Sequence, residues 1–266
     1  INVVDTSKLT ISYDSQISST AVYCSPYHHI SFAPDGDRDS NLSFFAHELT
    51  HAKQYKNGLL NRNGYTAKEF IILNRAIEAD AVAQQTHITW QLKQKGITKP
   101  WEAMKNNKTY GDIFKAYEKE ALKDPENINN TKAIKAAYNQ WFKKAFLRNH
   151  YDKSSLKKAF SSGVEENNLL KTADYFSAEK DIFDSFKKMG QINDSTNYLI
   201  SGTTSDTLTS DWYFDKMSDE NKVLFDSLNV IIKKAEFTKE FGNKKPYENK
   251  QKLTAKDKKS YKLNLS

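Results

Sequence analysis

The sequence is poor in cysteine, glycine and proline, and each shortage excludes something. Cys24 is the only cysteine, so an internal disulfide and a cysteine-based zinc site are both excluded. Nine glycines and five prolines in 266 residues disfavour a turn-rich sandwich or barrel and favour helices. No apolar run approaches the roughly 20 residues that a membrane helix needs. The sequence therefore predicts a soluble chain with no membrane span.

Arginine is scarce as well, although the chain is basic. The formal net charge is +7, and it comes almost entirely from lysines scattered among acidic residues. The arginines are only four: Arg38, Arg62, Arg75 and Arg148. Surfaces that bind nucleic acid usually concentrate arginine together with aromatic residues. The charge therefore indicates a solvated surface, and nucleic acid is not expected as a partner.

Short apolar runs come first in the chain, and helical patterns follow them. Residues 1–33 contain β-branched and aromatic runs that predict short strands. Helices are expected over residues 40–56, 66–95, 111–123, 131–148, 154–161, 178–189 and 219–235. Residues 202–210 are predicted to form a loop, and the lysine- and asparagine-rich tail from residue 244 is expected to be mobile. Strands and helices do not alternate, so the predicted fold class is α+β and predominantly helical.

The ends of the first two predicted helices carry recognisable signals. Asp39 or Ser40 is expected to cap the first helix, which stops at the dipeptide of residues 57–58, Asn-Gly. Thr66 and Glu69 match a capping box at the start of the second helix. Two well-bounded helices are therefore expected in succession, joined by a short loop.

The first of these helices carries the sequence FFAHELTHAKQ at residues 44–54, which contains an H-E-x-x-H pattern. Positions four apart lie on the same side of a helix, so His47 and His51 can bind one metal ion. A catalytic zinc ion usually has three protein ligands and leaves a fourth position to water. Glu48 is placed to take a proton from that water. The pattern therefore predicts one zinc ion per chain, with Glu48 as the catalytic base.

A strand, a short loop and this helix together resemble the zincin metallopeptidases, over roughly residues 20–95. The resemblance implies a zincin-like core with short N-terminal strands and an active-site helix, followed by a helical C-terminal region. It also implies that the strand at residues 27–33 lines the cleft and pairs with extended substrate. On this reading the protein hydrolyses bonds in a peptide or protein substrate.

The third ligand is expected from the second helix, because no further histidine follows His51 at the spacing of the metzincins. Residues 75–85, RAIEADAVAQQ, resemble the EADA helix that follows HELTH in groups of bacterial metallopeptidases, including domains carried by secreted effectors. This gluzincin-type resemblance implies that Glu78 is the third ligand. It also implies that the protein could be a secreted bacterial effector that acts in a host cell. The sequence itself gives no location.

The residues alone leave the third ligand open. Glu78 and Asp80 point about 200° apart on a helix, so they cannot both face one ion. Asp80 stays open as an alternative ligand or as a residue that supports a ligand, and His87 as a further alternative. Better-known gluzincins carry an aspartate four residues after the ligand glutamate to orient a histidine. That position is Val82 here, so an orienting group is expected from elsewhere.

Other polar residues are candidates for the same site. Zincins often take a transition-state stabiliser from a later segment, and the sequence LRNHYD at residues 147–152 offers His150 and Tyr151 beside Arg148. His28 and His29 on the presumed cleft strand are expected to be a solvent-facing pair at a sheet edge.

Three regions are predicted along the chain. Residues 1–100 form the metallopeptidase core, residues 101–243 form a helical region that completes the cleft or recognises substrate, and residues 244–266 form the tail. The alternative from another class is a helical binding protein whose zinc site is structural or inactive.

Overall fold

A computed structural model describes residues 8–165, 168–193, 195–200 and 211–242. The predicted fold class, α+β and predominantly helical, is confirmed. The predicted loop at residues 202–210 and the tail from residue 244 lie outside the described residues. The elements are, in chain order, β1 (Thr10–Tyr13), β2 (Ala21–Cys24), β3 (His29–Phe32), α1 (Arg38–Lys56), α2 (Ala67–Gln94), α3 (Lys99–Lys105), α4 (Gly111–Lys123), α5 (Glu126–Asn129), α6 (Lys132–Lys143), α7 (Ala145–Lys158), α8 (Leu169–Tyr175), α9 (Ile182–Lys188), β4 (Gln191–Asn193), β5 (Thr196–Asn197), α10 (Asp211–Phe214) and α11 (Asp219–Phe241).

The N-terminal sheet has β3 in the middle, with β1 parallel on one side and β2 antiparallel on the other. The expectation that this strand offers an edge to substrate was therefore wrong, because the backbone of β3 is bonded on both sides. The strand next to α1 is β2, which lies at the edge of this sheet. His29 is also not part of a solvent-facing edge pair, since its ring bonds the hydroxyls of Thr10 and Ser12 on β1 at 2.6 and 2.8 Å.

Helix α2 is the central element of the helical part. Between residues 70 and 87 every residue is buried except Glu78. One side of α2 belongs to the main core, which it shares with α3, α4 and α6, and its N-terminal end packs with α7, α8 and α11 in a second cluster. The main core contains residues from Leu59 to Tyr213. The proposed boundary at residue 100 stays a prediction.

The caps of α1 and α2 fix where the two site helices begin. The expected cap of α1 was wrong by two or three residues, because Asp37 is the N-cap and accepts a 2.9 Å hydrogen bond from the Ser40 amide. The capping box of α2 is confirmed, since Thr66 and Glu69 bond each other's backbone amides. Helix α1 ends at Lys56, as predicted, and Gly58 follows with a φ of 75°.

The prediction of one helix over residues 131–148 was wrong, because the chain breaks between α6 and α7. Lys144 has an extended conformation, with ψ at 98°, and its ammonium lies 2.7 Å from Asp112. Arg148 is buried and donates a hydrogen bond to the carbonyl of Phe142 near the end of α6. This side chain replaces the backbone donor that a continuous helix would supply. The segment predicted at residues 154–161 is the end of α7 and the turn after it.

Candidate metal centre

Helices α1 and α2 bring His47, His51 and Glu78 to one point. The Nε2 atoms of the two histidines are 3.0 Å apart, and Oε2 of Glu78 lies 3.7 Å from that of His47 and 3.6 Å from that of His51. Glu78 is the single partly exposed position in a long buried stretch of α2, and 19% of its side chain is accessible. Three ligand-type atoms therefore converge at the one partly exposed position of this stretch of α2.

The spacing of these three atoms fits a metal ion. A point exists about 2.0 Å from all three of them, and zinc binds imidazole nitrogen and carboxylate oxygen at about 2.0–2.2 Å. Two imidazoles and one carboxylate are also a donor set that zinc accepts. Among the described residues, this is the one group of three histidine, cysteine, aspartate or glutamate side chains that converges in this way.

The charges within the cluster perturb one another strongly. Burial would lower the pKa of His51, but the charge and hydrogen bonding of Glu78, together with the charge of Glu48 and the bond with Gln54, outweigh burial and raise the pKa to about 9. Burial would raise the pKa of Glu78, but the charge of His51 and hydrogen bonds from both histidines hold it well below its usual range. The cluster therefore keeps an ionised carboxylate next to imidazoles, and a metal ion would replace a proton there.

A chain of hydrogen bonds behind His51 fixes the direction of its ring. The Nδ1 atom of His51 lies 2.7 Å from Oε1 of Gln54, whose amide nitrogen donates to Oδ2 of Asp80 at 2.9 Å and to the carbonyl of Ile77 at 3.0 Å. The hydroxyl of Tyr198 donates to the other carboxylate oxygen of Asp80 at 2.7 Å. Such outer groups orient a metal-binding histidine.

Asp80 is therefore placed behind His51 rather than in the cluster. Burial raises the pKa of this carboxyl although Tyr198 and Gln54 both donate to it. Gln54 and Tyr198 are not among the site residues that the sequence predicted. Gln54 lies three residues after His51 on the same helix, and that spacing is the one signal in the sequence that would have pointed to it.

Glu48 is held at the edge of the sheet. It is buried, and its Oε2 atom accepts a 2.7 Å hydrogen bond from the backbone N–H of Tyr23 on β2. The charge of Glu48 is near enough to contribute to raising the pKa values of His51, Tyr110 and Tyr151. The carboxylate thus lies beside the cluster, on the side of the edge strand.

Two tyrosines from later helices border the cluster. Tyr151 on α7 lies near Glu78, and burial, followed by the charge of Glu78, raises its pKa well above the usual value. Tyr110, just before α4, lies near Tyr151, and burial raises its pKa to about 12. Tyr151 was expected at the site from the sequence, whereas Tyr110 was not.

The structure leaves other candidate residues away from the cluster. His150 is exposed, and its ring stacks on Phe146. Arg148 bonds the end of α6, as described above. The ring of His87 lies 2.7 Å from the hydroxyl of Tyr117 and 3.1 Å from the amide of Gln91.

Comparison with known proteins gives the family. Residues 2–200, about three quarters of the chain, match the Putative metallopeptidase family (DUF6782). No curated protein and no solved structure matched. Both site helices and both tyrosines lie within the matched residues. No helix among the described residues is long and apolar enough to cross a membrane. The chain therefore belongs to the Putative metallopeptidase family, and this membership points to a metal ion and to a polypeptide substrate.

Proposed function

We propose that the protein is a zinc peptidase of the zincin type, with His47, His51 and Glu78 as the metal ligands. The observation that carries the proposal is the meeting of their three ligand atoms at 3.0–3.7 Å, on a helix pair whose other groups orient them. The resemblance of HELTH and EADA to gluzincins and the family match support the same function.

The chain's own residues divide the work of peptide hydrolysis. A bound zinc ion would polarise the carbonyl of the scissile bond. It would also lower the pKa of water, so that the water loses a proton more easily and can attack that carbonyl. Glu48 accepts the proton of the attacking water and passes it to the leaving amine. Its hydrogen bond from Tyr23 fixes the carboxylate beside the edge strand.

The region after residue 100 completes this site in the proposal. Tyr151 and Tyr110 come from that region, and both hydroxyls carry protons at neutral pH, as an ordinary tyrosine does; burial raises their pKa values further. Tyr151 turns its proton from Glu78 towards the oxyanion that develops on the substrate. Tyr110 supports the hydroxyl of Tyr151.

The alternative, a binding protein with a structural zinc ion, fits the cluster less well. Structural sites are usually closed by four protein ligands, whereas three converge within the described residues. The third ligand is also the one position between residues 70 and 87 that is partly exposed. A partly exposed site with three ligands favours catalysis.

The test combines metal analysis with a base variant. Wild-type protein should bind one zinc ion per chain and cleave a mixture of fluorogenic peptides, and Glu78→Ala should lose both properties. Glu48→Gln should keep the zinc ion and lose cleavage by roughly 10²–10⁴-fold. Glu220→Gln, at an exposed acid on α11, is the control and should behave as wild type. Full activity in Glu48→Gln would refute the mechanism, and zinc without any cleavage would favour the binding protein.

A further inference from the structure

A surface cavity of about 580 Å³ has no part in the mechanism described so far. It is formed by the loop after α1 at residues 60–63, by the end of α7 with the turn after it, and by α8. Two of the residues that line it, Arg62 and Lys158, are cations that form no ion pair with a described residue.

Arg62 is a buried arginine that forms no ion pair with a described residue, and the nearby charge of Glu78 only partly offsets its burial. Its side chain is 7% exposed, its Nε donates to Oδ1 of Asn74 at 2.6 Å, and its Nη1 donates to the carbonyl of Leu59 at 3.2 Å. Both partners are neutral, and Arg62 forms no ion pair within the part of the chain that the structure describes. Burial lowers its pKa. A buried guanidinium normally has an anionic partner, because an unpaired buried charge is costly.

Lys158 adds a second uncompensated charge at the same cavity. It is exposed, and its ammonium forms neither a hydrogen bond nor an ion pair with the described residues. Partial desolvation lowers its pKa, and the charge of Arg62 lowers it further. The carboxylates at the cavity are already paired, since Glu165 lies 3.3 Å from Lys171 and Asp174 lies 2.8 Å from the ammonium of Lys239. Two neighbouring cations therefore remain for an anion from outside.

The cavity is connected to the metal centre through helices α2 and α7, which carry Glu78 and Tyr151. Asn74, which holds Arg62, lies one turn before Glu78 on α2. Lys158 lies seven residues after Tyr151 on the same face of α7, about 10 Å along the helix. An extended peptide covers about 3.3 Å per residue. A side chain in the cavity would therefore belong to a residue about three positions from a bond held at the metal ion.

We propose that this cavity is a substrate subsite in which Arg62 and Lys158 bind the carboxylate of an aspartate or glutamate about three residues from the scissile bond. This inference rests on the proposed peptidase function. The planar guanidinium offers parallel donors to a carboxylate, and the lysine adds a mobile charge at the edge of the cavity.

The test measures binding and cleavage separately. Zinc-loaded Glu48→Gln protein is titrated with randomised nonapeptide pools in which one position at a time is fixed as glutamate or glutamine. We expect one position at which glutamate binds about tenfold more tightly than glutamine, and the preference should disappear in Lys158→Gln and in Arg62→Gln. Lys157→Gln makes the same charge change one residue away, outside the cavity lining, and should keep the preference.

Arg62 also bonds α2, so Lys158→Gln is the decisive variant where Arg62→Gln folds poorly. No glutamate preference at any position, or a preference that Lys158→Gln leaves intact, would overturn the subsite. Cleavage by wild type is scored on the same pools. Cleavage without an acidic preference would refute the subsite alone. A Lys158-dependent preference in a protein that cleaves nothing would support the cavity and refute the peptidase.

Discussion

The backbone N–H of Tyr23 donates a 2.7 Å hydrogen bond to Oε2 of Glu48, so the edge strand of the sheet holds the proposed catalytic carboxylate. The donor is main chain, and the strand is bonded on its other side to β3. The position of the carboxylate is therefore fixed by a backbone donor in the sheet, and that donor moves less than a flexible side chain would. Glu48 is thus both the proposed base and a contact between α1 and β2.

The first prediction concerns the length of this side chain. Glu48→Asp keeps the charge but withdraws the carboxylate by one methylene, so the bond to the Tyr23 amide is lost and the base no longer reaches its water. We expect peptidase activity to fall about 10²-fold or more with zinc content unchanged. Activity within threefold of wild type would show that the strand contact does not position the base.

The second prediction concerns Gln54, which connects His51 to Asp80. Gln54→Met keeps the volume but removes the acceptor for Nδ1 of His51 and one donor to Asp80. Zinc affinity should weaken by roughly 10–100-fold, measured by competition with a chelator. The control is Gln91→Met, which removes the amide that bonds the ring of His87. That histidine lies away from the cluster, so zinc affinity should be unchanged. Equal effects of the two variants would refute a specific role for Gln54.

The third prediction separates the two candidates from the LRNHYD segment. Tyr151→Phe removes the hydroxyl near Glu78 but keeps the ring that packs against Trp141. We expect kcat to fall by roughly 10²-fold with zinc still bound, because an oxyanion donor is lost. His150→Ala changes an exposed neighbour and should keep wild-type kcat. A normal kcat in Tyr151→Phe would remove the tyrosine from the mechanism.

Local patterns predicted part of this site, and tertiary packing decided the rest. The HELTH spacing and the capping box each involve residues within one or two turns of a helix, so both features could be predicted from the sequence. The helical wheel of α2 left Glu78 and Asp80 open because that helix is buried almost all round. The structure separates them by what lies outside α2: the two histidines meet Glu78, while Gln54 and Tyr198 meet Asp80.

The errors in the predicted fold have similar causes. Alternation identifies a strand but not its neighbours, so the central position of β3 was not predictable from its own residues. The break after α6 has no proline or glycine to mark it. It depends on Arg148, which reaches back to the end of α6 only once the two helices are packed. The position of Tyr110 beside Tyr151 likewise requires α4 and α7 to meet at the cluster.

The fourth prediction tests the contact that holds α2 to α7, the helices of Glu78 and Tyr151. Asp152 accepts two hydrogen bonds from Arg75, at 2.7 and 2.6 Å, and both side chains are fully buried. Asp152→Ala leaves a buried unpaired guanidinium and should lower the free energy of unfolding by roughly 3–5 kcal/mol. The measurement is urea denaturation. Asp184→Ala breaks an exposed pair with Lys187 and should leave the midpoint unchanged.

The fifth prediction concerns His87, which is buried against the hydroxyl of Tyr117 and the amide of Gln91. Burial lowers the pKa of His87 to about 4, whereas a histidine in an unfolded chain titrates near 6.5. Between these two values the unfolded state binds more protons, so the free energy of unfolding decreases as the pH falls through this window. Above pH 6.5 the contribution of the neutral ring is fully present. Going from pH 7.5 to pH 5 should cost about 2 kcal/mol through this residue.

The measurement for His87 is a difference of differences. Urea denaturation of wild type and of His87→Gln at pH 7.5 and 5 cancels the contributions of all other titrating groups. We expect wild type to lose about 2 kcal/mol more than the variant between the two pH values. The matched variant His150→Gln removes an exposed histidine and should lose as much as wild type. Equal losses in wild type and His87→Gln would mean that His87 binds a proton as readily in the folded as in the unfolded protein. At pH 5 its bond with Tyr117 would then have to be formed by a charged ring.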